Sequence, residues 1–305
     1  MTISIRKPTS SLQPRKLKLG DKVRFISPAS TPQRESVFRR AERLEEWGLR
    51  VDFGQHAFRE NGYLAGTDDE RLADINTALC DDDVRAIFTT RGGKGSYRIA
   101  ERLDFGAARR DPKFLIGFSD ITILHLALWK HCGISGVHGA LMEADGQFGP
   151  QNEASLRSLL MTDEPIVIRS RGAEMTSAFT TSGVAEGVLL GGNLSMITTA
   201  AGWALPSLDG AILLLEAVNM YVGQVDRELT MLRKAGHLAG LAGIAVGQFA
   251  GFKPSIVDLL REHLAPMGVP ILGGLPLGHG DEPVSTLVGV TATLDATSGY
   301  LTVRR

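Results

Sequence analysis

The sequence is poor in the residues that mark secreted, metal-binding or membrane-spanning proteins. Its 305 residues include only two cysteines, Cys80 and Cys132, and neither has a second cysteine at metal-ligand spacing. Two cysteines do not build a disulfide framework, and such scarcity is typical of a reducing compartment. No run of about 18 apolar residues occurs, so the sequence predicts no transmembrane helix. We therefore expect a cytoplasmic protein without a metal site.

An excess of charge of either sign is also missing. The chain has 33 lysines and arginines against 34 aspartates and glutamates, a net charge of -1. This balance gives no electrostatic basis for binding nucleic acid or an anionic membrane. The N-terminus carries basic residues but no apolar stretch typical of a signal peptide, and roughly its first 16 residues predict a loose tail. Hydrophobic residues make up 43% of the chain, which is enough for a globular protein with a sizeable core.

Strand-like and helix-like segments alternate in the first half of the chain. This order predicts a layered α/β fold with a parallel sheet. The predicted strands are Asp21–Ser27, Arg50–Phe53, Val84–Thr89 and Phe114–Phe118. The predicted helices are Glu35–Trp47, Asp68–Leu79 with Asp68 as its cap, Tyr97–Leu103 and Asp120–His131.

The second half is richer in glycine and in strand-like runs. Residues 141–165 are polar with few strand signals and are interpreted as a connector, so we place a domain boundary near residue 150. Residues 1–150 would form the α/β domain, and residues 151–305 would form a smaller, mostly β domain. Its predicted strands are Pro165–Arg169, Ser182–Leu190, Ala211–Leu215, Leu241–Phe249 and Ser285–Leu294, and its predicted helices are Asn193–Ala201, Gln224–Ala235 and Ser255–Leu264.

Ser119 lies where a predicted strand runs directly into a predicted helix. A serine at such a junction is a favoured N-cap, whose oxygen accepts a hydrogen bond from the helix. The position also suits a nucleophile elbow, which projects the hydroxyl above the sheet edge and turns N–H groups toward a developing oxyanion. Gly117 suits a tight turn, but Ile121 stands where the closing glycine of G-x-S-x-G is usual. This pentapeptide leaves both roles open.

A serine nucleophile needs a histidine base and a carboxylate that orients the base. Glu216 is the candidate carboxylate, because it ends an apolar run and a carboxylate at the end of a buried strand needs a partner. It could instead cap the next helix or pair with Arg227. Among seven histidines, His138 and His279 are the candidate bases, since both lie in loops flanked by glycine. The residue pattern does not choose between them.

The turn Arg91–Gly95 follows a predicted strand and contains three glycines. A phosphate-binding turn would look similar, but neither G-x-G-x-x-G nor the P-loop pattern is present, so we expect no dinucleotide site. Such a turn can aim bare backbone N–H groups at an oxyanion. It could also be a tight loop that needs positive φ.

Taken together, these segments resemble the LD-carboxypeptidase family of serine peptidases, which includes the microcin C self-immunity proteins. The resemblance runs in order through nearly the whole chain. It rests on the motifs VRFISPA (23–29), YLAGTDDERLAD (63–74), RGGKG (91–95), IGFSD (116–120), VHG (137–139), GVLLGGNL (187–194), LLE (214–216) with DR (226–227), and PLGHG (276–280).

The resemblance implies a catalytic triad of Ser119 as nucleophile, His279 as base and Glu216 as the residue that orients the base. It thereby selects one of the two candidate histidines. It implies an oxyanion hole formed by the N–H groups of Gly93 and Asp120. It also implies a flavodoxin-like N-terminal half, a mostly β C-terminal half, a homodimer, and chemistry through an acyl-enzyme without a metal or cofactor.

The substrate that the resemblance implies is a murein tetrapeptide, cut between an L-centre and the terminal D-Ala during cell-wall recycling. Arg91 or Lys94 would bind the terminal carboxylate of this substrate. The family often has an aromatic residue where Lys94 stands and a proline where Ala140 stands, which leaves the substrate open. One alternative is an immunity-type amidase that cleaves microcin C-like aminoacyl-nucleotide antibiotics. Another is a non-catalytic ligand-binding module in which Ser119 is only a helix cap.

Overall fold

The computed structural model describes residues 11–144 and 147–304. Two large sheets and one small two-stranded sheet contain its strands. The strands are β1 (Lys22–Ile26), β2 (Arg50–Phe53), β3 (Val84–Thr89), β4 (Phe114–Gly117), β5 (Gly136–His138), β6 (Glu143–Ala144), β7 (Gln147–Phe148), β8 (Ile166–Arg169), β9 (Val184–Asn193), β10 (Ala211–Val218), β11 (Gly243–Ala250), β12 (Ile271–Leu272), β13 (Thr286–Val288), β14 (Val290–Asp295) and β15 (Tyr300–Val303).

Helices connect most of the parallel strands. The α-helices are α1 (Arg34–Glu46), α2 (Asp68–Cys80), α3 (Phe105–Arg110), α4 (Thr122–Cys132), α5 (Pro150–Met161), α6 (Leu194–Ala200), α7 (Val222–Lys234) and α8 (Ile256–Leu264). Short 3₁₀ segments lie at Ser96–Arg98, Ala100–Arg102, Ser119–Ile121, Met175–Phe179 and Ala265–Met267. Across the described ranges, none of these helices is both long and apolar enough to cross a bilayer.

The first sheet has the strand order β2-β1-β3-β4-β5-β13. Strands β1 to β5 pair in parallel, whereas β13 joins β5 in antiparallel orientation. The order 2-1-3-4-5 is that of flavodoxin-like folds, and ligands of such sheets bind beyond the carboxyl ends of the strands. The predicted α/β class and the flavodoxin-like N-terminal half are therefore confirmed.

The second sheet has the order β12-β11-β10-β9-β14-β15-β8. Strands β9 to β12 pair in parallel, and β14, β15 and β8 extend the sheet in antiparallel orientation. Helix α4 is buried on nearly all faces because it packs against α3 on one side and against α6 and β9 on the other. The segment that precedes α4 is thereby held where the two sheets meet.

Several local predictions were wrong. Residues 141–165 are not a plain connector, because they contain strands β6 and β7 and helix α5, whose first residue is Pro150. Proline is favoured at the first position of a helix. The polar composition of the segment nevertheless gave no prediction of a helix. Helix α2 is capped by Thr67 rather than by Asp68, in a capping box that Thr67 forms with Glu70. The Tyr97–Leu103 segment forms two 3₁₀ turns instead of an α-helix.

The prediction of a loose tail over about the first 16 residues is wrong for the part that the structure describes. Residues 1–10 lie outside the described residues. Beyond them, Leu12 donates its N–H to the carbonyl of Gly133 at 2.7 Å, and the buried Leu17 donates its N–H to the carbonyl of Leu160 at 2.8 Å. This part of the predicted tail is therefore tied to the body of the protein by backbone hydrogen bonds.

Candidate active site

A cleft of about 750 Å³ lies where strands of both sheets end. The residues after β3 and β4 line one wall, and the ends of β9 and β10 line the other. Ser119 and His279 are both among the lining residues. The fold therefore brings the predicted nucleophile and the predicted base to one crevice at the carboxyl ends of parallel strands, where α/β folds place their sites.

Ser119 has a strained backbone at the end of β4. Its φ is +64°, a left-handed conformation that costs an L-residue about 1–2 kcal/mol. Its side chain makes no capping hydrogen bond in the 3₁₀ turn, and the N-cap of α4 is Ile121. The cap interpretation of Ser119 is thus wrong. A strained serine between a strand and a helix is instead the geometry of a nucleophile elbow.

Gly117 serves this turn by its small size rather than by a positive φ. A Cβ atom on Gly117 would lie 2.4 Å from Oγ1 of Thr89 and 2.9 Å from the side chain of Ile121. The turn can therefore close tightly only with glycine at this position. Within residues 117–121, the residue with a positive φ is Ser119 itself.

Glu216 is fully buried on β10, and its carboxylate faces His279. Its Oε2 lies 2.6 Å from Nδ1 of His279, a distance typical of a short, charge-assisted hydrogen bond. Glu216 therefore bonds to the histidine rather than to Arg227. Because a carboxylate accepts hydrogen bonds, Nδ1 is the protonated nitrogen of the neutral ring and Nε2 is left as the acceptor.

His138, the other candidate base, lies in a different environment. It is 1% exposed, and within the described ranges neither of its ring nitrogens has a hydrogen-bond partner. Burial lowers its pKa to about 3, so the ring is neutral at ordinary pH. Of the two candidates, His279 is the one that has a carboxylate partner.

The predicted nucleophile and base are neighbours but are not bonded to each other. The ring of Phe118, next to Ser119, lies 4.7 Å from the ring of His279 between centroids. Among residues 11–144 and 147–304, no hydrogen bond joins the Ser119 hydroxyl to His279. Such contacts are often loose in ligand-free sites and tighten when substrate binds.

The turn Arg91–Gly95 packs directly against this serine. A Cβ atom on Gly92 would lie 2.9 Å from the Cβ of Ser119, so the close approach requires glycine. Gly93 has a φ of +109°, which also favours glycine. The Asp120 carboxylate accepts the N–H of Ser96 at 2.7 Å and so ties the end of this turn to the serine. Burial raises the pKa of Asp120, while the bond from Ser96 opposes that shift.

Charged side chains at the mouth of the cleft are mainly basic. Arg91 and Lys94 are exposed, and Arg40 also lines the cleft. Among the cleft residues that the structure describes, Asp120 is the one carboxylate, and it is buried. The cleft therefore suits a ligand that carries carboxylates.

Several residues of the cleft have no role that the sequence predicts. Asn193 ends β9 directly beside Glu216 in the parallel register. Asn219 follows β10 with a φ of +49°. The Gly-Gly-Asn stretch was a signal for Asn193, but nothing in the sequence marks Asn219. Within the described ranges, no group of His, Cys, Asp and Glu side chains is placed to hold a metal ion.

Two buried histidines should make the fold sensitive to acid. Burial lowers the pKa of His125 to about 4 and that of His138 to about 3, from an ordinary value of 6.5. Between pH 6.5 and these values the unfolded chain binds protons that the folded chain does not. Each histidine therefore lowers the free energy of unfolding as pH falls, by a slope approaching about 1.4 kcal/mol per pH unit.

The variant His125→Gln tests this linkage, since glutamine can still donate to the carbonyl of Leu115, which Nε2 contacts at 3.1 Å. We expect the slope of the free energy of unfolding between pH 6 and 5 to decrease by about 1.2 kcal/mol per unit in denaturant titrations. A slope equal to that of the wild type would contradict the assignment of a depressed pKa to His125.

Comparison with known proteins covers both halves of the chain. Residues 23–139 match the family model of the LD-carboxypeptidase N-terminal domain, and residues 186–294 match that of the C-terminal domain. A probable murein peptide carboxypeptidase of Bacillus subtilis is 34% identical over 294 residues, 93% of this chain and 91% of that protein. The murein tetrapeptide carboxypeptidase of Pseudomonas aeruginosa is 30% identical over 296 residues, 91% of this chain and 94% of that protein.

Among solved structures, an MccF-like protein from Bacillus anthracis superposes with a TM-score of 0.85 at 24% identity. The match covers 96% of this chain and 99% of that chain. At this identity the likeness shows the fold, whereas the two domain matches and the similarity to the Bacillus subtilis protein show the family. The chain therefore belongs to the LD-carboxypeptidase family and is a serine-type carboxypeptidase.

Proposed function

We propose that this enzyme removes the terminal D-Ala of a murein tetrapeptide by hydrolysing the amide bond between an L-centre and that residue. The observation that carries the proposal is the cleft in which the strained Ser119 lies beside His279, itself bonded to the buried Glu216. The names of the two carboxypeptidase relatives support murein peptides as the substrate class.

In the proposed first step, Nε2 of His279 takes the proton of the Ser119 hydroxyl as its oxygen attacks the amide carbonyl. Glu216 holds the ring by its bond to Nδ1 and stabilises the imidazolium. The carbon–nitrogen bond then breaks, and the imidazolium gives its proton to the leaving amine of D-Ala. Water attacks the acyl-enzyme in the second step, and the shortened peptide leaves with a new carboxylate while Ser119 regains its proton.

The oxyanion of each tetrahedral intermediate needs N–H donors close to Ser119. Our candidates are the N–H groups of Gly93 and Asp120. Their support is the packing of the glycine turn against Ser119 and the bond from Ser96 to the Asp120 carboxylate, which holds the two segments together. Donors that are fixed before the reaction stabilise developing charge without reorganisation.

The terminal carboxylate of the substrate would meet the basic mouth of the cleft. Arg91 and Lys94 are exposed there, and both project from the turn that packs against the nucleophile. A carboxylate held one residue beyond the scissile bond would fix the substrate in register. Recognition of this group would make the enzyme a carboxypeptidase rather than an endopeptidase.

Release of D-Ala from purified murein tetrapeptide, followed by mass spectrometry, tests the proposal. We expect turnover of the tetrapeptide and at least a roughly tenfold lower kcat/KM for its C-terminal amide, because the amide lacks the carboxylate. An aminoacyl-nucleotide of the microcin C kind serves as the parallel substrate. Turnover of that conjugate without turnover of the tetrapeptide would overturn the murein assignment in favour of an immunity-type amidase.

A further inference from the structure

Strand β11 carries one extra residue directly opposite Glu216. The pairing register of β10 and β11 shifts between Leu215 and Ala217, so Gly247 and Gln248 together face the single Glu216. An irregularity of this kind is a β-bulge, which bends the strand and re-aims its side chains. Bulges are frequent beside active sites, and this one lies next to the carboxylate that bonds His279.

The loop that contains His279 packs against this bulge. Gln248 donates its N–H to the carbonyl of Leu277 at 2.8 Å. A Cβ atom on Gly247 would lie 2.3 Å from the same carbonyl oxygen, so the loop can lie this close only against glycine. The bulge therefore fixes the backbone of the loop two residues before the histidine.

The side chain of Gln248 holds the loop on the other side of the histidine. It is 1% exposed, and its Oε1 accepts the N–H of Gly280 at 2.9 Å. Its Nε2 donates to the carbonyl of Asp281 at 3.0 Å and to the carboxylate of Glu174 at 2.7 Å. The orientation of the amide is determined by these partners, since the oxygen meets a donor and the nitrogen meets two acceptors.

His279 needs such restraint because both of its neighbours are glycines. Gly278 has a φ of +123°, and glycine reaches many other conformations at little cost. A Cβ atom on Gly280 would lie 2.5 Å from the amide carbon of Gln248, which shows how closely the loop packs on this side chain. The contact with Glu216 holds the imidazole but not the backbone that carries it.

We propose that Gln248 is a positioning residue for His279, an inference that rests on the proposed Ser119–His279–Glu216 triad. Its amide fixes the backbone after the histidine, so that Nδ1 remains on Glu216 while Nε2 faces the cleft. Catalytic rates respond strongly to such placement, since a shift of about 1 Å in a reacting group can cost roughly a hundredfold.

The variant Gln248→Met tests this role, because methionine has a similar size and makes none of the three side-chain hydrogen bonds. Per active site, we expect kcat to fall roughly 10- to 100-fold while KM changes less than about threefold. The acidic limb of the kcat profile should also move to lower pH, because an imidazolium held less firmly against Glu216 is less stabilised. Active sites are counted by labelling with a fluorophosphonate, whose phosphorus–fluorine bond breaks as the Ser119 oxygen bonds to phosphorus.

Lys113→Met is the matched control, since it also replaces a buried polar side chain with methionine. Lys113 is 2% exposed, and its Nζ donates to the carbonyl of Leu79 at 3.0 Å and to Asp111 at 2.6 Å. It lies just before β4, at the opposite end of that strand from Ser119. We expect this variant to lower Tm without changing kcat per active site or the pH profile.

Wild-type kcat and an unchanged pH profile in Gln248→Met would overturn the positioning role and leave the triad standing. Failure of the wild type to label at Ser119 and to hydrolyse any of the substrates would instead overturn the proposed function, and this inference with it. If Gln248→Met does not fold, Gln248→Glu carries the test, because it keeps the acceptor for Gly280 and loses both donors. Wild-type activity in Gln248→Glu would also contradict the positioning role.

Discussion

Ser119→Ala should reduce hydrolysis of the murein tetrapeptide by at least about 10⁴-fold. The methyl group has no oxygen to attack the carbonyl, so only oxyanion binding and substrate placement would remain. Alanine carries no more bulk than serine at the strained φ of +64°, so we expect the fold and Tm to be retained. D-Ala release by equal amounts of wild type and variant gives the measurement.

Ser255→Ala is a suitable control for this variant. Ser255 also stands directly before a helix, α8, and its side chain makes no capping hydrogen bond. It should retain wild-type turnover and wild-type labelling by a fluorophosphonate. A Ser119→Ala rate within about tenfold of the wild type would show that another group attacks the substrate.

Glu216→Gln should lower kcat by about 10³- to 10⁴-fold, as removal of the orienting carboxylate does in serine proteases with a Ser-His-Asp triad. The amide has the size of the carboxylate, but it cannot stabilise the imidazolium that forms when His279 takes the proton. It can also present N–H to Nδ1, which would favour the wrong tautomer of the ring. Steady-state kinetics over a range of pH values measures the loss.

Glu228→Gln provides the matched comparison, since it makes the same isosteric exchange at another buried glutamate. Glu228 is 8% exposed on α7, and burial raises the pKa of its carboxyl group. We expect kcat to change less than about threefold there. Equal losses in the two variants would indicate that removal of a buried charge, rather than loss of the partner of His279, explains the effect.

The alternation of apolar strands and helices was sufficient to predict the parallel sheet and most of its elements. β2 and β3 have the bounds that were predicted, and the ends of most other elements shift by a few residues. The predicted strand Ser285–Leu294 is wrong, because this segment forms two strands, β13 and β14, that belong to different sheets. Helix α5 was missed because its apolar residues are few and sit within a polar stretch. The strand order depends on pairing between distant segments, so only the family resemblance implied it.

Glu216 was found from the sequence because a carboxylate at the end of an apolar strand needs a partner, and the structure supplies one in His279. The choice between His138 and His279 could not be made from residues, since both lie between or beside glycines and only the folded chain brings one to a carboxylate. The positive φ of Ser119 could not be predicted from the sequence either, because serine rarely adopts this conformation.

Other sequence-based expectations remain predictions. They include the domain boundary near residue 150, the homodimer and the cytoplasmic location. The roles of the site residues are also still predictions, for the triad as well as for Gly93, Asp120, Arg91 and Lys94. Family membership excludes the alternative of a ligand-binding module without activity. The role of Gln248 had no sequence signal, because a β-bulge depends on the pairing register between two strands.

Strand β13 follows strands β8 to β12 of the second sheet in sequence, yet it completes the edge of the first sheet beside β5. During synthesis that edge stays unpaired until residues 286–288 have been translated. The loop of His279 lies just before the same strand. A chain interrupted before residue 279 would therefore contain Ser119 but lack both His279 and β13, and it would present an open sheet edge to other chains.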